Sequence, residues 1–438
     1  MKCSECGTKN PPGVFRCQKC GSALSVTFNQ VKGTFSKQAE RDIARDVERW
    51  LRQVLIGVAV LLVAVWAWNR WIGKVPKADA VPPVAVGDMP LASARIPFPA
   101  REHLRFPEAR AARHPLFAFR NERSRYVSFF GGSRGGLYPS EQGVDEGLKW
   151  LAQAQASVGH WDPGAFDGDA RRSLEATGLA LLAFTGAGHG MESPVYGSVV
   201  SKAVARIRHF QNSDGELTGN MADIGGRFWT VLALLEASEI PGASEEVRGA
   251  ARRAVAAIAP LVQTAFSPDK ISPAPFGWAA LLAAVAGRAG LDRFDPAAAS
   301  LRECAGSGAA RAKGVLIRED EMAALLLAHG ALGLKRNEEF FKRAISVIQN
   351  RPPGWGAKDA GGDPDYIHHA TLGLWAMQGE SWGAWRGALT ENLIAARGPG
   401  PWPVTGSEEA SLGRVGSTAF AVLALEVFYR YPGLFSME

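Results

Sequence analysis

The residues best suited to chemistry are four of the five cysteines, Cys3, Cys6, Cys17 and Cys20, which fall as C-x2-C-x10-C-x2-C at the N-terminus. Two short knuckles, each carrying two thiolates on a tight turn, can set four sulfurs tetrahedrally around Zn²⁺. Gly7 and Gly21 follow the knuckles and permit the backbone bend that such turns need. Two disulfides would use the same residues, but paired C-x2-C knuckles in a reducing compartment favour metal. Residues 1–25 hold almost no apolar core, so a bound ion would supply the folding free energy of this module. Cys304 stands alone.

A second constellation lies in GGDPDYIHHA, where Asp365, Tyr366 and His369 bring an acid, a phenol and an imidazole within about one helical turn, behind a glycine pair that allows close approach. Glu175, Arg227, Trp229, Asp320 and Arg414 fall near the starts of other apolar stretches. If those stretches are parallel helices, their positive dipole ends and uncapped N–H groups converge at one mouth. This mixed set can bind a polar head group while an apolar channel takes a tail. The plainer alternative is that the acids cap their own helices and the aromatics fill the mouth.

The elements that must position these residues form a repeat of roughly fifty residues. The first unit reads GLKWLAQAQASVGHW, in which Gly147, Trp150, Leu151, Gln155, Gly159 and Trp161 make a small residue, an aromatic-aliphatic pair, a glutamine and G-x-W. A helix ending near Gln155, a turn at Gly159 and Trp161 stacking back would let the glutamine amide bond freed backbone groups. The apolar stretch SLEATGLALLAFTG follows. The pattern returns in KAVARIRHFQNSDGEL before RFWTVLALLEAS, at Arg253 and Ala254 before FGWAALLAAVAG, and faintly from Ala297 to Cys304 before EMAALLLAHGALG. It recurs in KRAISVIQNRPPGW before DYIHHATLGLWAMQG, and in WRGALTENLIAARGPGPW before STAFAVLALEVFYRY.

An all-apolar helix must be covered on every side, whereas an amphipathic one needs a single covered face. Two concentric rings of helices satisfy both. The expected fold is therefore mainly α, an (α/α)6 toroid over 143–438, preceded by a small zinc ribbon and one transmembrane helix. An open solenoid would also bury the apolar helices, but tryptophan-bearing turns at both ends argue against open capping repeats.

From about Gly143 onward the chain resembles bacterial proteins with prenyltransferase and squalene-oxidase repeats, the superfamily of terpene cyclases and protein prenyltransferase β subunits. Residues 1–25 are similar to the zinc ribbons of bacterial membrane proteins, which implies a structural or docking zinc rather than a catalytic one. The enzymes of the superfamily imply motifs that can be checked. No D-x-D-D is present; Asp167 with Asp169 and Asp363 with Asp365 offer two acids each. His368 or His369 falls near the zinc-ligand position of the prenyltransferases, yet Cys304 lacks the aspartate two residues before it, and Asp320 is followed by Met322. No thioester G-C-G-E-Q occurs. A glycan-active (α/α)6 enzyme would need paired carboxylates, for which Glu175, Glu319, Asp320 and Asp365 are candidates, with Trp161, Trp229 and Trp278 stacking on sugars.

Between these modules, VLIGVAVLLVAVWAW from Val54 to Trp68 carries no charge. Extended over 54–72, with Arg52 and Arg70 snorkelling, it reaches membrane-spanning length, and Trp66, Trp68 and Trp71 suit an interfacial belt. Its position behind a folded module argues for a retained anchor over a cleaved signal peptide. Lys32, Lys37, Arg41, Arg45, Arg49 and Arg52 before it outweigh Arg70, Lys74 and Lys77 after it. The N-terminus is expected in the cytosol, with the toroid periplasmic or otherwise extracytoplasmic, on the cytoplasmic membrane. A juxtamembrane helix is expected over 36–53, a Pro-rich linker over 73–100 and a lead-in segment over 101–142.

The formal charge of +6 comes from scattered Lys and Arg rather than one basic stripe, so no nucleic-acid partner is expected. Two functions remain open at this point. One is a non-catalytic toroid that binds a protein partner or a lipid or isoprenoid ligand, coupled through the span to the zinc ribbon. The other is an enzyme directed at isoprenoids or glycans.

Overall fold

The computed structural model describes residues 2–10, 17–22, 120 and 138–435, apart from 222, 313–315, 336, 356–361, 398–399, 406–407 and 432–433. The expected juxtamembrane helix, span and linker lie outside the described residues, as does most of the lead-in. Among the described residues no helix is long and apolar enough to cross a membrane. The chain divides into two units, Met1–Ala100 and Arg101–Glu438.

The described residues of the second unit are built into helices. Six are almost wholly buried: α2 (Ser173–Gly186), α4 (Ile224–Glu239), α6 (Pro273–Arg288), α8 (Glu319–Ala331), α10 (Pro364–Met377) and α12 (Gly413–Leu425). They alternate with α1 (Tyr138–Ala154), α3 (Gly197–His209), α5 (Glu245–Ala265), α7 (Asp295–Arg311), α9 (Glu338–Gln349) and α11 (Gly379–Ala396). The contrast follows from residue pattern. In α2 every residue from Leu174 to Gly186 is buried, whereas α9 buries only Phe340, Phe341, Ala344 and Ile348, one stripe at helical spacing.

The buried helices pack in cyclic order: α2 on α4, α4 on α6, α6 on α8, α8 on α10, α10 on α12, and α12 back on α2. Each half-exposed helix lies against this inner set, α3 on α2 and α4, α9 on α8, and α1 on α12. Small residues let the inner backbones approach. A Cβ on Gly178 of α2 would stand 2.5 Å from Thr230 Oγ1 and 2.7 Å from its Cα on α4. Starts are set by caps: the side chains of Asp223, Ser244, Asn337 and Asp363 accept the N–H groups of Gly226, Val247, Phe340 and Tyr366.

The helices fall where the sequence places them, with two differences. The faint fourth outer stretch is a full helix, α7, whose buried residues Ala297, Ala298, Leu301, Cys304, Ala305, Gly308 and Ala309 form a regular stripe. Small side chains there carry little hydropathy, so the period was weak. The last inner stretch breaks after α12 at Glu426, where the N–H of Tyr429 bonds the Glu426 carbonyl at 3.1 Å, and resumes as α13 (Val427–Arg430).

The Gln-Gly-Trp turn works as its residue types demand. Gly159 has φ +93°, and the Gln155 amide donates to Gly159 O at 3.1 Å and, across to α3, to Val199 O at 3.0 Å. Trp161 Nε1 donates back to Leu151 O at 2.7 Å. The next unit repeats this: Gly215 has φ +97°, and Gln211 bonds Gly215 O at 3.0 Å and Ala250 O of α5 at 2.9 Å. Each glutamine therefore ties one outer helix to the next. A Cβ on Gly159 would stand 2.5 Å from Lys202 O, and one on Gly215 the same distance from Arg253 O. Gly159→Ala and Gly215→Ala should each cost about 3 kcal/mol through backbone strain and overlap, and Gln155→Ala about 1–2 kcal/mol. Urea unfolding that places both glycine variants within about 0.5 kcal/mol of the parent would refute the shared role.

Candidate functional site

In the first unit the four cysteines come together. Their sulfurs all lie within 4.8 Å of one another, with Cys3 Sγ 3.6 Å from Cys20 Sγ and Cys6 Sγ 3.5 Å from Cys17 Sγ. These spacings are too long for disulfides and suit four sulfurs around one ion. The two knuckles are built alike: Cys3 N–H bonds Thr8 O and Gly7 N–H bonds Cys3 O, while Cys17 N–H bonds Ser22 O and Gly21 N–H bonds Cys17 O, all at 2.9 Å. Gly7 and Gly21 take φ +69° and +74°. Asn10 locks the second knuckle, donating to Cys17 Sγ at 3.4 Å and accepting Gln18 N–H at 2.9 Å. Backbone N–H groups of Cys20 and Lys19, with Asn10, draw the Cys17 thiol down to about 6. The Thr8 hydroxyl pulls Cys6 down, but the neighbouring sulfurs and burial outweigh it and lift that thiol to about 11. The four cysteines can hold a metal ion.

In the second unit, side chains of five inner helices, α2, α4, α6, α10 and α12, come together. Glu175 of α2 accepts the Asp223 N–H beside α4 at 3.1 Å and forms a short ion pair with Arg172. Burial lifts its carboxyl above the usual range, with Arg172 pulling the other way. Trp229 of α4 donates its indole N–H to Glu175 O at 2.9 Å and meets Trp278 of α6 edge to face, centroids 5.6 Å apart. Trp278 in turn donates to Asp365 Oδ1 of α10 at 2.5 Å, stacks on His368 at 4.5 Å with 12° between planes, and meets His369 edge-on at 5.8 Å. Phe420 of α12 closes the cluster against both indoles. Gly277 is required beside it, since a Cβ there would strike the His369 ring.

Among the sequence candidates, Glu175, Trp229, Asp365 and His369 are thus joined through Trp278. Four others are placed elsewhere. Tyr366 is one residue from Asp365 and so turned about 100° around the helix; its hydroxyl donates to Arg351 O at 2.6 Å and Ile348 O at 3.2 Å, toward α9, and burial pushes it up. The acid, phenol and imidazole therefore do not face one point. Asp320 is paired with Arg318, Arg414 lies 2.6 Å from Asp167, and Arg227 is half-buried at the start of α4. Asp169 and Asp363 act as caps. Trp161, Trp229 and Trp278 are all buried, occupied in packing rather than displayed for sugars.

The cluster has one chemically unusual property. His368 and His369 are each 1% exposed, and among the described residues neither ring nitrogen of His368 nor Nε2 of His369 has a hydrogen-bond partner. Burial drives His368 well below the usual imidazole range and His369 to about 3, so both are neutral at physiological pH.

A further set was not singled out in the sequence. At the opposite ends of the inner helices, Glu236 of α4, wholly buried, meets Arg120, Arg430 and Tyr431. Burial pushes the Glu236 carboxyl up, but Arg120 and Arg430 outweigh it and hold it at about 2. The available signal was a charge inside an apolar run, at Glu236 in LALLEAS and at Glu426 and Arg430 in LALEVFYRY.

No protein-family model matches this chain, and no curated protein matches its sequence.

Proposed function

We propose that the chain is a membrane-anchored, extracytoplasmic (α/α)6 toroid of the prenyltransferase and squalene-oxidase-repeat type that binds a ligand without transforming it, tethered to a cytosolic ribbon whose ion is zinc. The cyclic packing of six inner helices supports the toroid, and the apolar stretch 54–72 with its flanking charges supports the anchor. All-sulfur ligation on two knuckles favours zinc.

The observation that carries the binding role is the pair of buried, neutral imidazoles with three nitrogens unpartnered among the described residues, set among Trp229, Trp278 and Phe420. A buried polar atom without a partner costs roughly 1–3 kcal/mol, a cost a bound hydroxyl or phosphate oxygen relieves. Aromatic surroundings suit an apolar chain behind that group. The ligand class is therefore an isoprenoid or acyl lipid with a polar end. The sequence lacks the acid and metal motifs that the enzymes of the superfamily use, which supports binding over catalysis.

Mass spectrometry of the full chain extracted from membranes in mild detergent tests this. One isoprenoid or acyl species should be retained per chain, and retention should fall at least about tenfold in His368→Phe/His369→Phe, a pair that keeps the stacking on Trp278. Retention unchanged in that folded variant, or no retained species and no uptake from a panel of prenols and phospholipids, would sink the assignment.

A further inference from the structure

Arg120 precedes α1 in the sequence and is 2% exposed. Its guanidinium is read almost completely. Nη1 donates to Glu236 Oε2 at 2.7 Å and to Thr185 O at 3.3 Å, Nη2 to Glu236 Oε1 at 3.2 Å, and Nε to Arg430 O at 2.9 Å. The Tyr431 ring lies 5.0 Å from the guanidinium carbon on one side. These partners come from the last turn of α2, the last turn of α4 and the end of α13 with the residue after it. Helix C-termini carry partial negative charge and favour a cation. A carboxylate fork, two carbonyls and an aromatic face are the full set that recognises guanidinium, and a lysine ammonium cannot match the planar fork.

The socket is itself held in place. Glu236 also accepts from Thr185 Oγ1 at 3.1 Å, from Arg430 Nη2 at 3.3 Å and from the Tyr431 hydroxyl. Arg430 Nη1 is fixed by Leu182 O at 3.0 Å and Glu426 Oε2 at 3.1 Å. Two arginines and two glutamates leave no net charge. Just after α2, Gly188 has φ +87°, and a Cβ there would overlap the Arg120 carbonyl oxygen, so this glycine admits the arginine's backbone.

We propose that the C-terminal ends of α2, α4 and α13 form a guanidinium-binding socket, filled in cis by Arg120. Arg430 of the socket is near enough to His368 to help depress its imidazole, but the test reads Arg120 and leaves the His368 and His369 side chains in place, so its failure and the failure of the ligand reading remain distinguishable.

The test is chemical rescue in the full chain. Arg120→Ala should lower Tm by about 8 °C, because Glu236 loses its bidentate partner in a buried site. Methylguanidinium at millimolar concentration should restore at least half of that loss, after subtraction of its effect on the parent, and methylammonium should restore none. Gly188→Val should reproduce most of the Arg120→Ala loss, and the two together should add little. Where Arg120→Ala does not accumulate, Arg120→Lys carries the same arms, since it keeps the charge without the fork. The proposal is overturned if the variants melt with the parent, if methylammonium rescues as well as methylguanidinium, if neither rescues, or if the Arg120 and Gly188 losses are additive.

Discussion

Lowering the pH from 7 to 5 should destabilise the helical unit by about 4 kcal/mol, some 8 °C or more in Tm, before carboxylates in the usual range have titrated appreciably. The source is the pair of imidazoles packed on Trp278. Their folded pKa values lie below the unfolded value near 6.5, His369 at about 3 and His368 well down. The stability they contribute is therefore present above pH 6.5 and is lost as pH falls toward the folded values. At pH 5 each unfolded imidazole has gained a proton that its buried counterpart refuses, which amounts to roughly 2 kcal/mol per histidine. His329 and His160, also lowered by burial, act in the same direction, and Glu236 joins below about pH 4.5. Glu175, whose carboxyl is raised, opposes them modestly. Urea melts across pH 5–7 should show the slope, and His368→Phe/His369→Phe should remove most of it. An unchanged slope in that variant would show that the two rings are not the titrating groups.

Replacing Cys3, Cys6, Cys17 and Cys20 by Ser should abolish the one zinc per chain expected in purified protein and unfold the N-terminal ribbon. The described part of this module has almost no core beyond Cys3, Cys17 and the half-buried Cys6. Its order then depends on the ion, and structural zinc in such peptides is worth about 10–16 kcal/mol at neutral pH. The thiols pull apart in acidity: backbone N–H groups draw Cys17 down to about 6, while neighbouring sulfurs and burial lift Cys6 to about 11. A divalent cation removes that conflict by holding all four as thiolates. Cobalt substitution should give the visible bands of a tetrahedral tetrathiolate. Zinc content unaffected by the four substitutions, or a ribbon that keeps its amide protection after chelation, would disprove the assignment.

The six inner helices were legible because an uninterrupted apolar window leaves few alternatives to full burial, and SLEATGLALLAFTG coincides with α2 from first residue to last. The turns at Gly159 and Gly215 were legible because glycine and glutamine do different and separable jobs in both, with Trp161 joining them at the first. The α7 stripe was faint because alanine and glycine signal burial weakly. At the candidate site, the sequence placed Glu175, Trp229, Asp365 and His369 at the helix starts but could not show that Trp278 joins them, since the indole donates to an acid 87 residues away. Nor could it show that Tyr366 turns outward, which depends on the helix's rotation about its own axis. The Arg120 contacts span 116 residues to Glu236 and 310 to Arg430, separations at which no local pattern exists.

The return of α12 onto α2 and of α1 onto α11 bears on how the second unit comes apart. A row of repeats peels from its outermost members, each of which has one neighbour to lose. Here every hairpin has a neighbour on both sides, the last one included, so detaching any of them uncovers two apolar faces at once. Melting should accordingly be a single concerted event across the helical unit, and a nick in any one loop should leave it standing.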